Sequence, residues 1–230
     1  QFESVNATIK ENIFDNKINI SFNIIETEKS YIKKINIFGN NVTQESVIRN
    51  QIEIDEGDPF NAILFSKSIN NIKGLNFFRD VTSDIIVNDE DNSKIINISI
   101  EEKPTGEIFA GAGTGTNGAT VSFGVKENNY LGKGLSVDTN ANISQDSIRG
   151  RFVVNNPNYN NSDKSVNFSI QASENDKLSA YGYKSTRTGF TVGTRFEYFD
   201  DLFFGVSTEN FIEDIVVTSN ASDKQKKMAG

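Results

Sequence analysis

The sequence predicts an α+β domain of order β-α-α-β-β, followed by about seven long antiparallel strands. Three observations carry this expectation. Residues 31–102 pass from a strand-like apolar period through a helical one and back. From Pro104 onward the helical period vanishes, and segments of roughly 9–14 residues alternate apolar and polar side chains. Residues 2–26 make a further pair of alternating segments around Asp15 and Asn16.

In that first pair, Ile18, Ile20, Phe22 and Ile24 fall on one face and Asn19, Ser21 and Asn23 on the other. A lone hairpin needs a cover for its apolar face, so residues 1–28 read as the last hairpin of a preceding domain whose helices lie upstream. Residues 29–103 make a complete unit. A strand at 31–38 leads into the turn at Gly39, Asn40 and Asn41. Thr43 is then placed to cap a helix running from Glu45 to Asn50. Asp58 and Pro59 mark a boundary. Asn61 opens a second helix with apolar positions at Ile63, Leu64, Ile69 and Ile72, which Gly74 is expected to stop. Phe77 and Phe78, a strand at 81–87, a turn at 89–92 and a strand at 94–102 close the unit. Gly39, Gly57 and Gly74 read as turn and cap residues.

Strands are expected beyond at 107–116, 119–127, 134–144, 147–155, 164–173, 185–198 and 202–211. They are longer than the ~5–6 residues usual in soluble sheets. Val121, Phe123 and Val125 share a face, as do Leu135, Val137 and Ala141, then Ile148, Phe152 and Val154, then Val166, Phe168 and Ile170. The opposite faces carry Ser, Asn, Asp, Gln, Arg149 and Arg151. Such a sheet is either one layer of a sandwich, apolar face inward, or a membrane barrel wall, apolar face toward lipid. Strand length, the run of hairpins and aromatic residues near strand ends (Tyr130, Tyr159, Tyr198) favour the barrel, and the sandwich stays open. Asn117 and Gly118 have the chemistry of a tight type I′ turn.

Composition narrows the chemistry. The 230 residues hold no cysteine and no histidine, which excludes disulfides, thiolate nucleophiles and Ser-His-Asp catalysis. A net charge of -8 and a pI near 4.7 argue against a nucleic-acid surface. The basic run at Lys224, Lys226 and Lys227 reads as a solvated tail. No run of ~18 apolar residues is present to make a spanning helix. The glycine-rich stretch 111–118 lacks the Lys-Ser/Thr and following helix of a phosphate loop. Adjacent acidic pairs such as Glu101 and Glu102, or Asp200 and Asp201, read as solubilising charges, since neighbours on a strand point to opposite faces. No enzyme, metal or cofactor site is expected, and the chain begins and ends like an internal fragment.

Residues 31–102 resemble the POTRA family, the polypeptide-transport-associated module. The resemblance rests on Ile35, Ile37, Phe38, Gly39 and Asn40; Val47 and Ile48; Gly57, Asp58, Pro59 and Phe60; the run from Leu75 to Val81; and the close at Ile96, Ile98, Ile100, Glu101 and Glu102. Residues 103–160 resemble the start of the barrel in the BamA family of outer-membrane protein assembly factors. Here the carriers are Lys103, Pro104, Thr105 and Gly106, the glycine-alternating first strand, Asn128 to Gly134 (with Leu131 and Gly132), and Asn156, Pro157, Asn158 and Tyr159. The resemblance implies three parts: residues 1–28 ending a preceding POTRA domain, 29–103 the barrel-proximal POTRA domain, and 104–230 the N-terminal part of an outer-membrane β-barrel. It also implies a Gram-negative outer membrane, POTRA domains in the periplasm, and partners that are unfolded outer-membrane proteins, accessory assembly lipoproteins and outer-membrane lipid. Arg49 and Glu56 become candidate lipoprotein contacts, with ordinary solvated charges as the other reading. Gly111, Gly113 and Gly115 become a candidate lateral seam, a weak strand whose edge accepts a client strand, with a simple bend in the wall as the other reading. The family's Arg-Gly-Phe loop motif does not occur in these residues. Two-partner secretion translocators and autotransporter-assembly factors therefore fit the same parts, and a soluble β-rich binding protein fits less well.

Overall fold

Ile18, Ile20, Phe22 and Ile24 sit on β2 (Lys17–Glu26), which among the described residues pairs antiparallel with β1 (Val5–Phe14) alone. All four side chains are exposed. This computed structural model describes residues 5–14, 17–26, 29–88, 90–115, 118–162, 164–199 and 202–229. The turn residues Asp15 and Asn16, Asn117 of the tight turn, and the pair Asp200 and Asp201 lie outside the described residues. The chain divides into two compact units, Gln1–Lys103 and Pro104–Gly230.

In the first unit, β3 (Tyr31–Phe38), α1 (Glu45–Arg49), α2 (Ala62–Gly74), β4 (Phe78–Asn88) and β5 (Ser93–Glu102) follow in the expected order. The sheet order is β3-β5-β4, with β3 parallel and β4 antiparallel to the central β5. Ile96, Ile98 and Ile100 alternate inward on β5 and meet Ile48, Ile69 and Ile72 from the helices. Ile32 and Ile35 are both buried although three residues apart, because a register shift between Ile32 and Lys34 adds one residue. A shift between Phe78 and Asp80 does the same for Phe78 and Val81.

Four local expectations change. Thr43 does not cap α1: Gln44 holds the cap position without a side-chain bond, and the Thr43 N–H goes to Glu102 Oε1 at 2.7 Å. Glu102 is therefore no free solubilising charge, since it also accepts the N–H groups of Asn41 and Val42 at 2.9 Å each. Asn61 does cap α2, accepting from Ile63 and Leu64, but Ile63 itself points to solvent at 80% exposure while Ser68 is buried in its stead. Gly74 is the last helical residue, not the left-handed one. That conformation passes to Asn76, φ 60°, whose short amide side chain tolerates it.

The second unit is a seven-stranded antiparallel sheet of order β12-β11-β10-β9-β8-β7-β6, each strand beside its sequence neighbour. The strands are β6 (Gly106–Gly115), β7 (Gly118–Tyr130), β8 (Leu135–Ser144), β9 (Ser147–Asn156), β10 (Lys164–Lys177), β11 (Tyr183–Phe199) and β12 (Leu202–Val217). β7 and the last three outrun their expected bounds. Two short helices break the expectation of an all-strand region: α3 (Leu178–Tyr181), and α4 (Asp223–Met228), opened by a Ser222–Gln225 capping box, on which Lys224, Lys226 and Lys227 stay exposed to solvent.

The register aligns one face across the sheet. Phe123 lies opposite Ala141, Ala141 opposite Gly150, Gly150 opposite Ala172. The row Val125, Thr139, Phe152, Ile170, Phe190 runs beside it. Val121, Phe123, Ile148, Phe152, Phe168, Ile170, Phe190 and Val206 all remain exposed. Among the described residues, the buried apolar side chains of this unit come down to Ala221, whereas the first unit holds a thirteen-residue core. A soluble sandwich layer covers its apolar face. This one does not.

Candidate functional site: the edge strand and its anchor

Strand β6 sits at one edge of the large sheet and pairs with β7 from Gly106 opposite Glu127 to Gly115 opposite Gly118. Its two faces differ. Gly111, Gly113 and Gly115 fall with Glu107 and Phe109 on the polar face, and Ile108, Ala110, Ala112 and Thr114 lie on the apolar face. Every residue of the strand is exposed. A Cβ placed at Gly113 or Gly115 meets nothing within 4 Å, and one at Gly111 comes only to 3.9 Å of Ser122 Oγ. No close packing demands these glycines. What they remove is side-chain cover and backbone stiffness, which makes the strand easy to deform.

Gly124 is different. A Cβ there lands 2.2 Å from Phe109 Cζ and 2.8 Å from the Thr139 carbonyl oxygen. The Phe109 ring lies in the space this missing side chain leaves, a contact that ties β6 to its neighbour across the polar face.

The start of β6 is held by a polar clasp that the sequence reading overlooked. The Thr105 hydroxyl donates to Glu127 Oε1, and the same oxygen accepts the Asn129 N–H at 2.9 Å. The Asn128 side-chain amide reaches the Thr105 carbonyl at 3.3 Å. Asn129 is 6% exposed and accepts the Gly134 N–H at 2.8 Å through Oδ1. That bond closes the β7–β8 turn, where Leu131 (φ 56°), Gly132 (φ 69°) and Gly134 (φ 66°) are all left-handed. An amide or carboxylate just before a glycine turn was the available signal. The β9–β10 turn also follows from its residues: Asn156 Oδ1 accepts the Asn158 N–H, Pro157 ends the strand, and Asn160 and Asn161 take positive φ.

In the POTRA-like unit, Arg49 and Glu56 have work inside the domain. Arg49 Nη2 donates to the Ile35 carbonyl at 3.1 Å, and the Ile35 N–H donates to Glu56 Oε1 at 3.0 Å. The two side chains lie 4.0 Å apart, and Arg49 also bonds Glu45 at 2.7 Å. Together they occupy the outer edge of β3. Nearby, the Ile32 N–H bonds Asp58, Gly57 bonds Ile32, and Phe60 bonds Ser30, so the loop at Gly57 shields the same edge. The opposite edge strand is β4. Gly39 has φ 90°, and a Cβ would fall 2.0 Å from the Ile100 carbonyl oxygen, while the Asn40 amide reaches back to the Thr43 carbonyl at 3.3 Å. Gly57 has φ 98° in open space. Partial burial disfavours ionised Glu102, and the bonds from the Thr43 side chain and the N–H groups of Thr43, Val42 and Asn41 outweigh it, holding its carboxyl below the usual range.

Among the described residues no group of acidic side chains is arranged to hold a metal. Among the described residues no helix is long and apolar enough to cross a membrane, which says nothing of crossing by strands.

Residues 30–103 match the family model POTRA, described as a surface antigen variable number repeat. The chain is 26% identical over 192 residues to the outer membrane protein assembly factor BamA of Neisseria meningitidis serogroup B, covering 79% of this chain and 24% of that protein. It is 31% identical over 117 residues to BamA of Neorickettsia risticii, covering 50% of this chain and 16% of the relative. The chain thus spans about a quarter or less of the length of these curated relatives. In fold it matches the crystal structure of BamA from Haemophilus ducreyi lacking POTRA domains 1–3, with TM-score 0.72, 21% identity and coverage of 92% of this chain and 41% of that one. CdiB from Escherichia coli matches less well, with TM-score 0.59, 13% identity, and coverage of 94% and 43%. Residues 30–103 match the POTRA family, and the chain is similar to the BamA outer membrane protein assembly factors across that domain and the strands that follow it.

Proposed function

We propose that this chain is the barrel-proximal POTRA domain and first barrel strands of an outer-membrane protein assembly factor. Residues 1–28 are then the end of a preceding POTRA domain, 29–103 the POTRA domain, and 104–230 part of the barrel wall. The wall lies in the bacterial outer membrane and the POTRA domain in the periplasm. The observation that carries the reading is the continuous similarity to BamA through both the POTRA domain and the strands behind it. The higher TM-score to BamA than to CdiB supports this reading over a related translocator.

Mechanically, β6 is a seam. Its glycines lower the cost of bending the edge, and its N–H and C=O groups are available to a client strand by β-augmentation. The clasp at Thr105, Glu127 and Asn129 holds the start of the strand while the glycine half deforms. Unfolded outer-membrane proteins are the clients. The driving force is strand pairing and burial of apolar faces in lipid, so no nucleotide and no catalytic residue is required. Arg49 and Glu56, besides closing the β3 edge, present charge to an accessory lipoprotein.

Complementation of cells depleted of their own assembly factor tests this. Valine at Gly111 and Gly113 in the full-length protein is expected to lower folded client levels severalfold while the variant's own barrel stays heat-modifiable. Unchanged client levels would rule out the seam. Glu56→Gln retains the oxygen that accepts from Ile35 but loses the charge, so normal lipoprotein co-purification with that variant would remove Glu56 from the docking surface.

A further inference from the structure

The polar face of the barrel wall carries a cluster of positive charge that strand pairing leaves unused. Arg149 and Arg151 stand on β9, opposite Ser173 and Gln171 of β10, and Ser173 in turn faces Arg187 of β11. The three arginines, Gln171, Ser173 and Glu209 of β12 line one cavity of about 380 Å³. Three guanidinium groups against one carboxylate leave an excess of two positive charges in this lining, and Glu213 of β12 stands opposite Arg187 beside it.

The single carboxylate is already engaged. Glu209 accepts from the Gln171 amide at 2.9 Å and lies 3.9 Å from Arg187 Nη2. Arg149 and Arg151 have no ion-pair partner among the described residues. Arg187 is held by stacking, its guanidinium carbon 3.4 Å from the centre of the Phe211 ring. Phe211 reaches that position because Gly189, its cross-strand partner, has no side chain: a Cβ there would come within 2.5 Å of Phe211 Cβ. Stacking fixes the plane of a guanidinium and leaves its edge donors for a planar oxyanion. Arg187 Nε is shielded from solvent and lacks an acceptor.

Clustered like charge with too little counter-charge is costly where water is restricted, so the excess at Arg149 and Arg151 suits an anion. The spacing selects its form. Residues two apart on one strand face are ~6.6–6.8 Å apart, the interval at which an extended peptide presents alternate side chains. We propose that the Arg149, Arg151 and Arg187 cavity is a receptor site for an extended acidic peptide segment of another polypeptide, with carboxylates at alternate positions meeting Arg149 and Arg151. The proposal rests on the assembly reading only for the source of that peptide. A free peptide involves no insertion step, so loss of binding and loss of assembly are read separately.

The test is calorimetric titration of the full-length, lipid-embedded protein with the peptide Glu-Ser-Glu-Ser-Glu, its Gln-Ser counterpart, and inorganic phosphate. Saturable binding of the acidic peptide is expected, weakening with salt and falling on the order of tenfold in Arg149→Gln or Arg151→Gln, from loss of one charge-assisted contact. Lys133→Gln, in the β7–β8 turn, is expected to bind normally. Equal binding of the uncharged peptide, or full competition by phosphate at the same concentration, would overturn the assignment. So would a wild-type protein that binds nothing while the arginine variants lose heat-modifiable barrel, because the counter-charge would then be internal.

Discussion

Single residues set the tightest constraints, and Gly39 sets the tightest of all. Its φ of 90° and the 2.0 Å approach to the Ile100 carbonyl exclude any side chain. Gly39→Ala is expected to cost the 29–103 domain more than the ~1–2 kcal/mol of left-handed backbone alone, because strand β5 must also move. Gly57→Ala, with the same φ class but open space, is expected to cost only that backbone term, and equal urea midpoints for the two would refute the packing argument. Glu102 gives a pH prediction with a definite sign. Its folded carboxyl titrates below the ordinary glutamate value of 4.5, so the stability it adds is present above about pH 4.5 and lost as pH falls through the lower folded value. Glu102→Gln is expected to flatten the acid limb of stability and to cost about 1–2 kcal/mol at pH 7, discounted for partial exposure. A variant with an unchanged acid limb would show that Glu102 does not clamp Asn41, Val42 and Thr43. This role was not legible in the sequence: the partners are about sixty residues apart, and Glu102 looked like one of many strand-end charges.

Elements were legible where period and cap chemistry agreed. The β-α-α-β-β order, the Asn61 cap and the seven consecutive strands all follow from local pattern. Where tertiary contact decides, the pattern failed. The bulges at Ile32/Lys34 and Phe78/Asp80 shift the inward phase by one residue, and Ile63 satisfies a helical spacing yet faces solvent. The end of β10 extends through the polar residues Glu174 to Lys177, whose pairing comes from the neighbouring β11 rather than from their own alternation, and β12 runs on through Ile212 to Val217. The glycine stripe of β6 was visible, but the clasp below it was not, since Thr105, Glu127 and Asn129 come together only once β6 and β7 pair. Gly124 belongs to this scale, because it joins two strands. Gly124→Val is expected to displace Phe109 and reduce the heat-modifiable fraction of the barrel, and Phe109→Ala in the same protein is expected to restore part of it, the Thr139 carbonyl contact remaining. No restoration by the double substitution would mean that Phe109 does not anchor β6.

For the whole molecule, the two units solve the burial problem in opposite ways. The first closes a core of isoleucine and phenylalanine around its sheet. The second displays its apolar row on the surface and keeps Arg149, Arg151, Gln171 and Glu209 on the other face, a distribution that fits hydrocarbon on one side and water on the other. The sequence showed the alternation but could not say which face was covered; the exposed rows of the single sheet supply that. The most direct test uses the absence of cysteine in this chain. Single cysteines at Phe123, Phe152 and Phe168, and at Ser122, Arg151 and Gln171, would be spin-labelled in the full-length protein in lipid vesicles. Labels at the three phenylalanine positions should relax with oxygen dissolved in the bilayer and ignore a water-soluble nickel chelate, and the other three should show the reverse. Chelate access at Phe123, Phe152 and Phe168, or protection of those positions from both agents, would contradict the barrel and with it the assembly function.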